Sequence, residues 1–312
     1  MKKFLRKFFL FIPFFLAFYV VLVIIMDELE FSKLDDKSIY PIASYGHLQT
    51  RLKEVKETSD VDILFIGSSH TYRGFDTRIF LEAGYKSFNL GSSAQTPIET
   101  LVLLKRYLKK LNPKLVILET FPDVFESDGV ESSLDLIAND KNDLNSLSMA
   151  LKVNSRMTYN ALIFGWFRNI TGLNETMEEP LIRGNDTYVS GGFVSRKPET
   201  FVTHEHYPPK SFHFSRKQIR SFEKIIRILQ KEERKYIIVQ LPITSDLYHS
   251  YSNAASFDSL VSSYGTYINY NGIVDLSDSL DFFDNNHLNQ NGVSIFDREV
   301  LREIETMGLI RK

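Results

Sequence analysis

The stretch VDILFIGSSH, residues 61–70, joins a continuous apolar run to a short polar turn. A run of this kind is typical of a buried parallel strand, because both faces of such a strand are covered by other elements. Gly67 ends the run, and Ser68, Ser69 and His70 follow it directly. We therefore expect a hydroxyl-bearing turn at the carboxyl end of a central strand, where open α/β sheets place their sites.

Four further segments have the character of strands, and helical patterns separate them. The predicted strands are SFNLG at 87–91, KLVILET at 114–120, YIIVQLP at 236–242 and GIVDLSD at 272–278. The predicted helices cover residues 96–111, 215–233, 254–266 and 289–307. This alternation predicts an α/β fold with a doubly wound, central parallel sheet of about five strands.

A long interval, at about residues 125–213, interrupts the alternation. Residues 144–170 have a helical pattern, and residues 171–213 are rich in polar side chains, Gly and Pro. Long segments inside a compact domain often serve as lids or binding platforms. We interpret the interval as such an insertion within one domain, residues 59–312, rather than as an independent domain.

The N-terminal region has the pattern of a membrane anchor. Residues 8–26 carry no charge, and 19 residues at about 1.5 Å each span roughly 28 Å as a helix, the thickness of a bilayer core. Basic side chains in residues 1–7 precede the span, which predicts a cytoplasmic N-terminus and an extracytoplasmic remainder. The run has no small-residue cleavage site, so an uncleaved anchor is favoured over a signal peptide. Residues 27–58 are predicted to be a polar connector.

Composition excludes several classes of function. The net charge is −2, and residues 1–26 hold 4 basic and no acidic side chains, so the outward part carries about −6. This charge argues against a nucleic-acid partner. The absence of Cys excludes disulfides and thiolate catalysis. The segment His204-Glu205-His206 lacks a further ligand at helical spacing, so we predict no metal site and no cofactor.

A second polar block lies near the C-terminus. Asp284 precedes His287 by three residues, on a loop that enters the last predicted helix. A carboxylate so placed can accept a hydrogen bond from the imidazole Nδ1 while Nε2 faces a nucleophile. Taken alone, the block is equally compatible with simple capping of that helix. Together with the serine turn, it indicates a serine nucleophile with His287 as general base and Asp284 as the group that orients it.

In the order of these blocks the sequence resembles the SGNH/GDSL hydrolase superfamily. Gly67-Ser68-Ser69 matches the nucleophile block, with Ser68 in place of the usual Asp, and Asn89-Leu90-Gly91 matches the second block. Asp284 and His287 match the last block. The resemblance implies a three-layer, flavodoxin-like fold, Ser69 as nucleophile, and an oxyanion hole that includes the backbone N–H groups of Ser69 and Gly91.

The third block departs from the family pattern. Leu118-Glu119-Thr120 stands after the third strand, where the family has Gly-x-Asn-Asp. An ionised Glu119 would repel an oxyanion, which puts the third donor in doubt. The Thr120 hydroxyl and the Gln95 amide are the alternative donors.

Three residues near the nucleophile are candidates for substrate binding: His70, Arg73 and Asn89. His70 and Arg73 could contact an acyl carbonyl or an anionic sugar. For Arg73, an ion pair with Asp76 within the turn is an equally good interpretation.

The anchor and the altered third block are similar to a membrane-tethered branch of the superfamily, which includes proteins of alginate O-acetylation and of D-alanine transfer to teichoic acids. That resemblance implies a single-pass membrane protein that transfers or hydrolyses an acyl group, most simply O-acetyl, on a cell-surface or exported polysaccharide. It also implies a multi-span membrane-bound O-acyltransferase as partner. Two alternatives stay open: a tethered carbohydrate esterase that only hydrolyses, and a catalytically degenerate SGNH-fold assembly or binding protein.

Overall fold

The computed structural model describes residues 11, 13–15, 17–25, 42–173, 178–198, 201–202 and 206–310. The strands are β1 Ile63–Ile66, β2 Ser87–Asn89, β3 Leu115–Glu119, β4 Ile182–Arg183, β5 Asp186–Val189, β6 Phe193–Arg196, β7 Lys235–Gln240 and β8 Tyr267–Asn269. The helices are α1 Leu48–Glu57, α2 Ser69–Gly74, α3 Thr77–Glu82, α4 Pro97–Leu111, α5 Pro122–Glu126, α6 Val130–Asn139, α7 Leu144–Val153, α8 Arg156–Thr171, α9 Arg216–Lys231, α10 Ser245–His249, α11 Ala254–Ser262 and α12 Gln290–Thr306.

Five strands form the central sheet, in the order β2-β1-β3-β7-β8. Every neighbouring pair in this sheet is parallel. Counted along the sheet strands alone, the order is 2-1-3-4-5, which is the flavodoxin-like arrangement. The prediction of a central parallel sheet of five strands flanked by helices is confirmed.

Alternate side chains of each strand face two separate cores. In β1, Leu64 and Ile66 pack into the core beneath α4 and α9, whereas Ile63 and Phe65 pack into the core beneath α12. All four side chains are fully buried, and each contributes about 1.5–3 kcal/mol to folding. The strand is therefore held on both faces, and the turn that follows it starts from a fixed point.

The fifth strand differs from its prediction. It is β8, whose three residues are only partly buried and form no apolar run. The predicted strand at 272–278 is wrong, because the chain turns at Gly272, which has a φ of +74°. Upstream, the single helix predicted over 144–170 is divided into α7 and α8 at Asn154, whose φ of 56° is left-handed.

The insertion packs on the sheet domain through two structures. Helix α6 packs against α1 and α4, α7 packs against α4, and α8 packs against α6 and α7, while β4, β5 and β6 form a three-stranded antiparallel sheet. The β5–β6 hairpin contacts the sheet edge, where the Asn89 N–H donates to the Gly191 carbonyl at 2.7 Å. The insertion thus borders the strand ends, and its role as a lid or platform stays a prediction.

Part of the predicted connector belongs to the domain. Leu48, Leu52 and Val55 of α1 are buried in the core that also holds α4. Arg51 on the same helix is fully buried, and its Nε donates to the Gly192 carbonyl at 2.8 Å. Residues 27–41 of the connector lie outside the described residues.

The N-terminal segment is described in part. Residues 17–25 are helical, and the Tyr19 hydroxyl donates to Asn160 Oδ1 at 2.6 Å. Within the described ranges, none of the helices combines the length and the apolar character that a membrane crossing requires. The predicted anchor at 8–26 includes positions outside those ranges, so it stays a prediction.

Candidate active site

The polar turn after β1 begins a short helix that presents Ser69. Ser68 caps α2, because its Oγ accepts a hydrogen bond from the His70 N–H at 3.3 Å. Gly67 is required before the cap, since a Cβ there would lie 2.4 Å from Glu119 Oε2 and 2.5 Å from Thr71 Oγ1. Ser69 is therefore the first residue of a helix that starts at the carboxyl end of the central strand.

The C-terminal block reaches the same point from the other end of the chain. His287 Nε2 lies 2.8 Å from Ser69 Oγ, and His287 Nδ1 lies 2.9 Å from Asp284 Oδ2. Asp284 Oδ1 accepts the backbone N–H groups of His287 at 2.7 Å and Asn286 at 2.9 Å, which fixes the carboxylate. The three side chains predicted as a triad are thus joined by hydrogen bonds across 218 residues of sequence.

Burial and charge set the protonation of these groups. Burial lowers the pKa of His287 to about 4; the hydrogen bond to Asp284 acts in the opposite direction, and the neighbouring His70 and Arg73 lower it further. Burial would raise the pKa of Asp284, but its hydrogen bonds from His287 and from two backbone N–H groups hold it below the usual value. Near neutral pH the imidazole is uncharged and the carboxylate is ionised, as a general base and its orienting partner require.

An aromatic side chain supports the imidazole. The Phe283 ring is stacked on the His287 ring at a centroid distance of 5.4 Å and an interplanar angle of 8°. The guanidinium groups of Arg73 and Arg196 lie over Phe283 at 5.2 and 4.4 Å from its centroid. Arg73 also forms a bidentate ion pair with Asp186, with Nη1 3.0 Å from Oδ1 and Nη2 2.8 Å from Oδ2. Arg73 therefore contributes to the wall behind His287.

The pairing of Arg73 with Asp76 does not form. Asp76 instead binds Arg78, with Nη2 2.6 Å from Oδ2, and it caps α3 by accepting the Arg78 N–H. Arg73 reaches Asp186 of the insertion, a partner that local sequence could not indicate.

The predicted oxyanion donors differ in their surroundings. The Ser69 N–H lies in the first turn of α2, where helix donors have no intrahelical acceptor. The Gly91 N–H donates to Asn89 Oδ1 at 3.1 Å. Both Thr120 donors, N–H and hydroxyl, bind the Val239 carbonyl at 2.8 and 3.1 Å. The Gln95 amide donates to Thr100 Oγ1 at 2.9 Å.

The donors of Gly91, Thr120 and Gln95 therefore already form hydrogen bonds within the protein. Thr120 and Gln95 are almost fully buried, and neither borders the cavity beside Ser69. Of the four groups, the Ser69 N–H is the donor best placed to meet a developing negative charge.

Two buried side chains hold α2 in place. Glu119 Oε2, from the end of β3, accepts the Ser68 N–H at 2.6 Å and the Thr71 hydroxyl at 3.2 Å. The Asn89 amide, from the end of β2, donates to the carbonyls of Thr71 at 2.7 Å and Phe75 at 3.3 Å. Asn89 has no exposed surface. Its position indicates a role in fixing the nucleophile helix, whereas the sequence suggested substrate binding.

A cavity of about 370 Å³ opens beside the nucleophile. Ser69 and His70 border it, and apolar side chains from α5 and α10, including Val124 and Leu247, form part of its wall. Asp123 and Lys210, which are in contact with each other, add charged groups. Such a cavity can take an acyl group together with a hydroxylated partner.

Comparison with known proteins gives distant structural similarity only. No protein-family model matches the sequence, and no curated protein matches it either. A Bacteroides fragilis structure assigned to the acylhydrolases is 14% identical, covers 86% of this chain and 99% of its own, and superposes with a TM-score of 0.43.

Two other solved structures are similarly remote. A GDSL-like lipase from Bacteroides thetaiotaomicron is 12% identical, covers 83% of this chain and 99% of its own, and has a TM-score of 0.40. A gut microbial diltiazem-metabolizing enzyme is 11% identical, covers 78% of this chain and 47% of its own, and has a TM-score of 0.25. At such identities and scores the chemistry of the site has to be inferred from its own geometry.

The sequence analysis missed three residues of the site. Phe283 directly precedes Asp284, so its position beside the imidazole could have been inferred from the block itself. Lys210 and Tyr251 border the cavity from distant parts of the chain, and only the tertiary structure brings them there. His204 and Glu205, the start of the His-Glu-His segment, lie outside the described residues.

Proposed function

We propose that the protein is an SGNH-type serine esterase or acyltransferase that works through an acyl-enzyme on Ser69. The observation that carries the proposal is the 2.8 Å contact between His287 Nε2 and Ser69 Oγ, with Asp284 on the opposite ring nitrogen. A hydroxyl is a weak nucleophile at neutral pH, and an adjacent oriented base is what activates it. A purely structural or binding role would not require this alignment.

The reaction divides into two half-reactions. Ser69 Oγ attacks the ester carbonyl carbon while its proton passes to His287 Nε2, and the tetrahedral oxyanion faces the Ser69 N–H. The carbon–oxygen bond to the leaving alcohol then breaks, and His287 returns the proton to that alcohol. A second hydroxyl, from water or from a sugar, attacks the acyl-Ser69 carbonyl and gives its proton to His287. Collapse releases Ser69, which recovers the proton.

The chemistry of the cavity supports a hydroxylated substrate. Asp123, Lys210, Asn285 and Asn286 supply charged and amide groups at its border, and such groups form hydrogen bonds with sugar hydroxyls. A small acyl group such as acetyl would fit beside the apolar wall. The proposal extends accordingly to O-acyl groups on a cell-surface or exported polysaccharide.

The N-terminal sequence and the resemblance to the membrane-tethered branch support a proposal for the location and the partner. An anchor at residues 8–26, preceded by basic residues, would hold the domain on the extracytoplasmic side of the cell membrane. There it would stand beside a membrane-embedded acyl donor, such as a multi-span O-acyltransferase. This arrangement favours transfer to a polymer over simple hydrolysis.

The proposal is tested with p-nitrophenyl acetate and with O-acetylated oligosaccharides. We expect the full chain to release acetate and to transfer it when a sugar acceptor is added. Ser69→Ala should lower turnover by at least about a thousandfold, because it removes the nucleophile.

Ser245→Ala is the matched control, because Ser245 Oγ also contacts a histidine, His249 Nδ1 at 3.2 Å, but on an exposed helix. It should keep full activity. Turnover that survives in Ser69→Ala, or no turnover by the wild type with any of these esters, would contradict the proposal.

A further inference from the structure

A second imidazole lies beside the nucleophile, and the mechanism above does not use it. The His70 side chain is 4% exposed, and its ring centroid is 5.0 Å from that of His287. His70 borders the same cavity as Ser69. Its Nε2 is buried and has no hydrogen-bond partner among the residues that the structure describes. A buried polar atom without a partner costs free energy unless something in the working state satisfies it.

The other ring nitrogen indicates where the proton resides. His70 Nδ1 lies 3.2 Å from Ser68 Oγ, and that oxygen already accepts the His70 backbone N–H. The Ser68 hydroxyl hydrogen is therefore available for donation to Nδ1. If the hydroxyl donates to Nδ1 of a neutral imidazole, the ring hydrogen is on Nε2, since the partner of one nitrogen fixes the tautomer of the other.

The other oxyanion donors that the sequence suggests are engaged within the protein. The side-chain donors of Thr120 and Gln95 and the N–H of Gly91 all bind protein acceptors, as described above. Glu119, at the end of β3, presents a carboxylate that can only accept while it is ionised, and its Oε1 is 3.7 Å from His70 Nδ1. The carboxylate therefore lies beside Nδ1 of the His70 ring.

We infer that His70 donates a hydrogen bond from Nε2 to the oxyanion of the tetrahedral intermediate. The inference rests on the proposed function of Ser69. The His70 proton is not transferred: the proton of Ser69 still passes to His287, and His70 acts only as a donor in the transition state. Glu119 and Ser68 are positioning residues, because they hold the turn and the His70 tautomer.

Three variants separate this role from simple packing. His70→Phe keeps an aromatic ring against Phe121, whose centroid is 4.3 Å from that of His70, but removes the donor. It should lower kcat by about a hundredfold with little change in KM, since a transition-state donor is lost. His70→Gln restores an N–H at a similar reach and should recover much of that loss. His213→Phe is the control, because its side chain is 87% exposed.

Two further measurements link the effect to the oxyanion and to the tautomer. An arylboronic acid forms a tetrahedral adduct with a nucleophilic serine, so its affinity should fall in His70→Phe by a factor similar to that for kcat. Ser68→Ala should lower kcat less than His70→Phe, and its effect should be smaller in the His70→Phe background than in the wild type, where it also removes the hydrogen bond to His70 Nδ1.

The outcomes are distinguishable. If the wild type is active and His70→Phe keeps kcat within a factor of three, the inference is overturned while the proposed function stands. It is also overturned if His70→Gln and His70→Phe lower kcat equally, because packing alone would then explain the loss. A wild type that neither turns over esters nor binds the boronic acid overturns both.

Discussion

His287 is held between a carboxylate and an aromatic ring. Asp284 binds Nδ1 at 2.9 Å, and the Phe283 ring covers one face of the imidazole. Burial disfavours the charged imidazolium more strongly than Asp284 favours it, so the pKa of His287 falls from its usual 6.5 to about 4. The base is thus ready to accept a proton over the whole neutral range.

This lowered pKa predicts that the acid limb of the pH–activity profile lies at unusually low pH. Only unprotonated His287 can accept the Ser69 proton, so activity is lost as the pH falls through the pKa of His287. We expect kcat/KM for a neutral ester to decline around pH 4 rather than near 6.5. A pH series with p-nitrophenyl acetate between pH 3.5 and 7 measures this limb. A midpoint near pH 6.5, in protein that is still folded, would contradict the account of His287.

The triad was predictable from the sequence, and its neighbours were not. Ser69, Asp284 and His287 stand in short blocks whose spacing reflects local geometry: a turn after a strand and a loop before a helix. Arg73 and Asn89 were assigned to substrate binding, yet Arg73 pairs with Asp186 and Asn89 binds backbone carbonyls of the nucleophile helix. Asp186 is distant in the sequence, and the carbonyls belong to the main chain. A local pattern of side chains therefore could not indicate either kind of partner.

Helix α2 has six residues, too few to be stable by itself. Its position therefore depends on contacts from neighbouring elements. Glu119 of β3 binds its N-terminal end, and Asn89 of β2 binds the carbonyls of Thr71 and Phe75 towards its C-terminal end. A Cβ on Gly91 would lie 2.9 Å from the Ser68 carbonyl oxygen, so the loop after β2 also packs closely against the turn.

Removal of one of these contacts should misplace the nucleophile. Asn89→Ala removes a buried amide that donates to the Thr71 and Phe75 carbonyls and accepts the Gly91 N–H, which should lower the free energy of unfolding by about 2–3 kcal/mol. It should also reduce kcat at least tenfold with KM nearly unchanged, because a shift of about 1 Å at a reacting group is costly.

Thermal unfolding and steady-state kinetics measure the two effects. Asn291→Ala, at an exposed position in the first turn of α12, is the control. A rise in KM with kcat intact would show instead that Asn89 binds substrate, as the sequence suggested.

At the scale of the whole molecule, the sheet was largely predictable because β1, β3 and β7 contain continuous apolar runs. Leu115–Glu119 and the runs like it are buried on both faces, and that burial is directly visible in composition. β8 escaped prediction because it has three partly buried residues at the sheet edge. Helix α1 was not predicted, because Arg51 and other polar residues separate its apolar side chains, which are Leu48, Leu52 and Val55.

The N-terminal segment gives a prediction about location. Phe14 and Phe18 of that segment are more than half exposed, and Tyr19 nearby binds α8 through Asn160. If residues 8–26 cross a bilayer, the full chain expressed in a bacterium should stay with membranes through an alkaline carbonate wash. Phe14→Lys with Phe18→Lys should release it, since each Lys near the centre of a span costs about 2.5–3.5 kcal/mol.

Leu144→Lys provides the comparison for this experiment. Leu144 is 81% exposed at the start of α7, outside the predicted anchor. That variant should stay in the membrane fraction. Release of the wild-type chain by carbonate would contradict the anchor and, with it, the proposed partnership with a membrane-embedded acyl donor.

The most direct test of the central claim is the mass of the chain after reaction with a fluorophosphonate, followed by peptide mapping of the modified residue. The account predicts one phosphonyl group per chain, on Ser69, with no adduct in Ser69→Ala and much slower reaction in His287→Ala. Ser245→Ala should react like the wild type. An unmodified wild-type chain, or an adduct that maps to a serine other than Ser69, would contradict the assignment of Ser69 as the nucleophile.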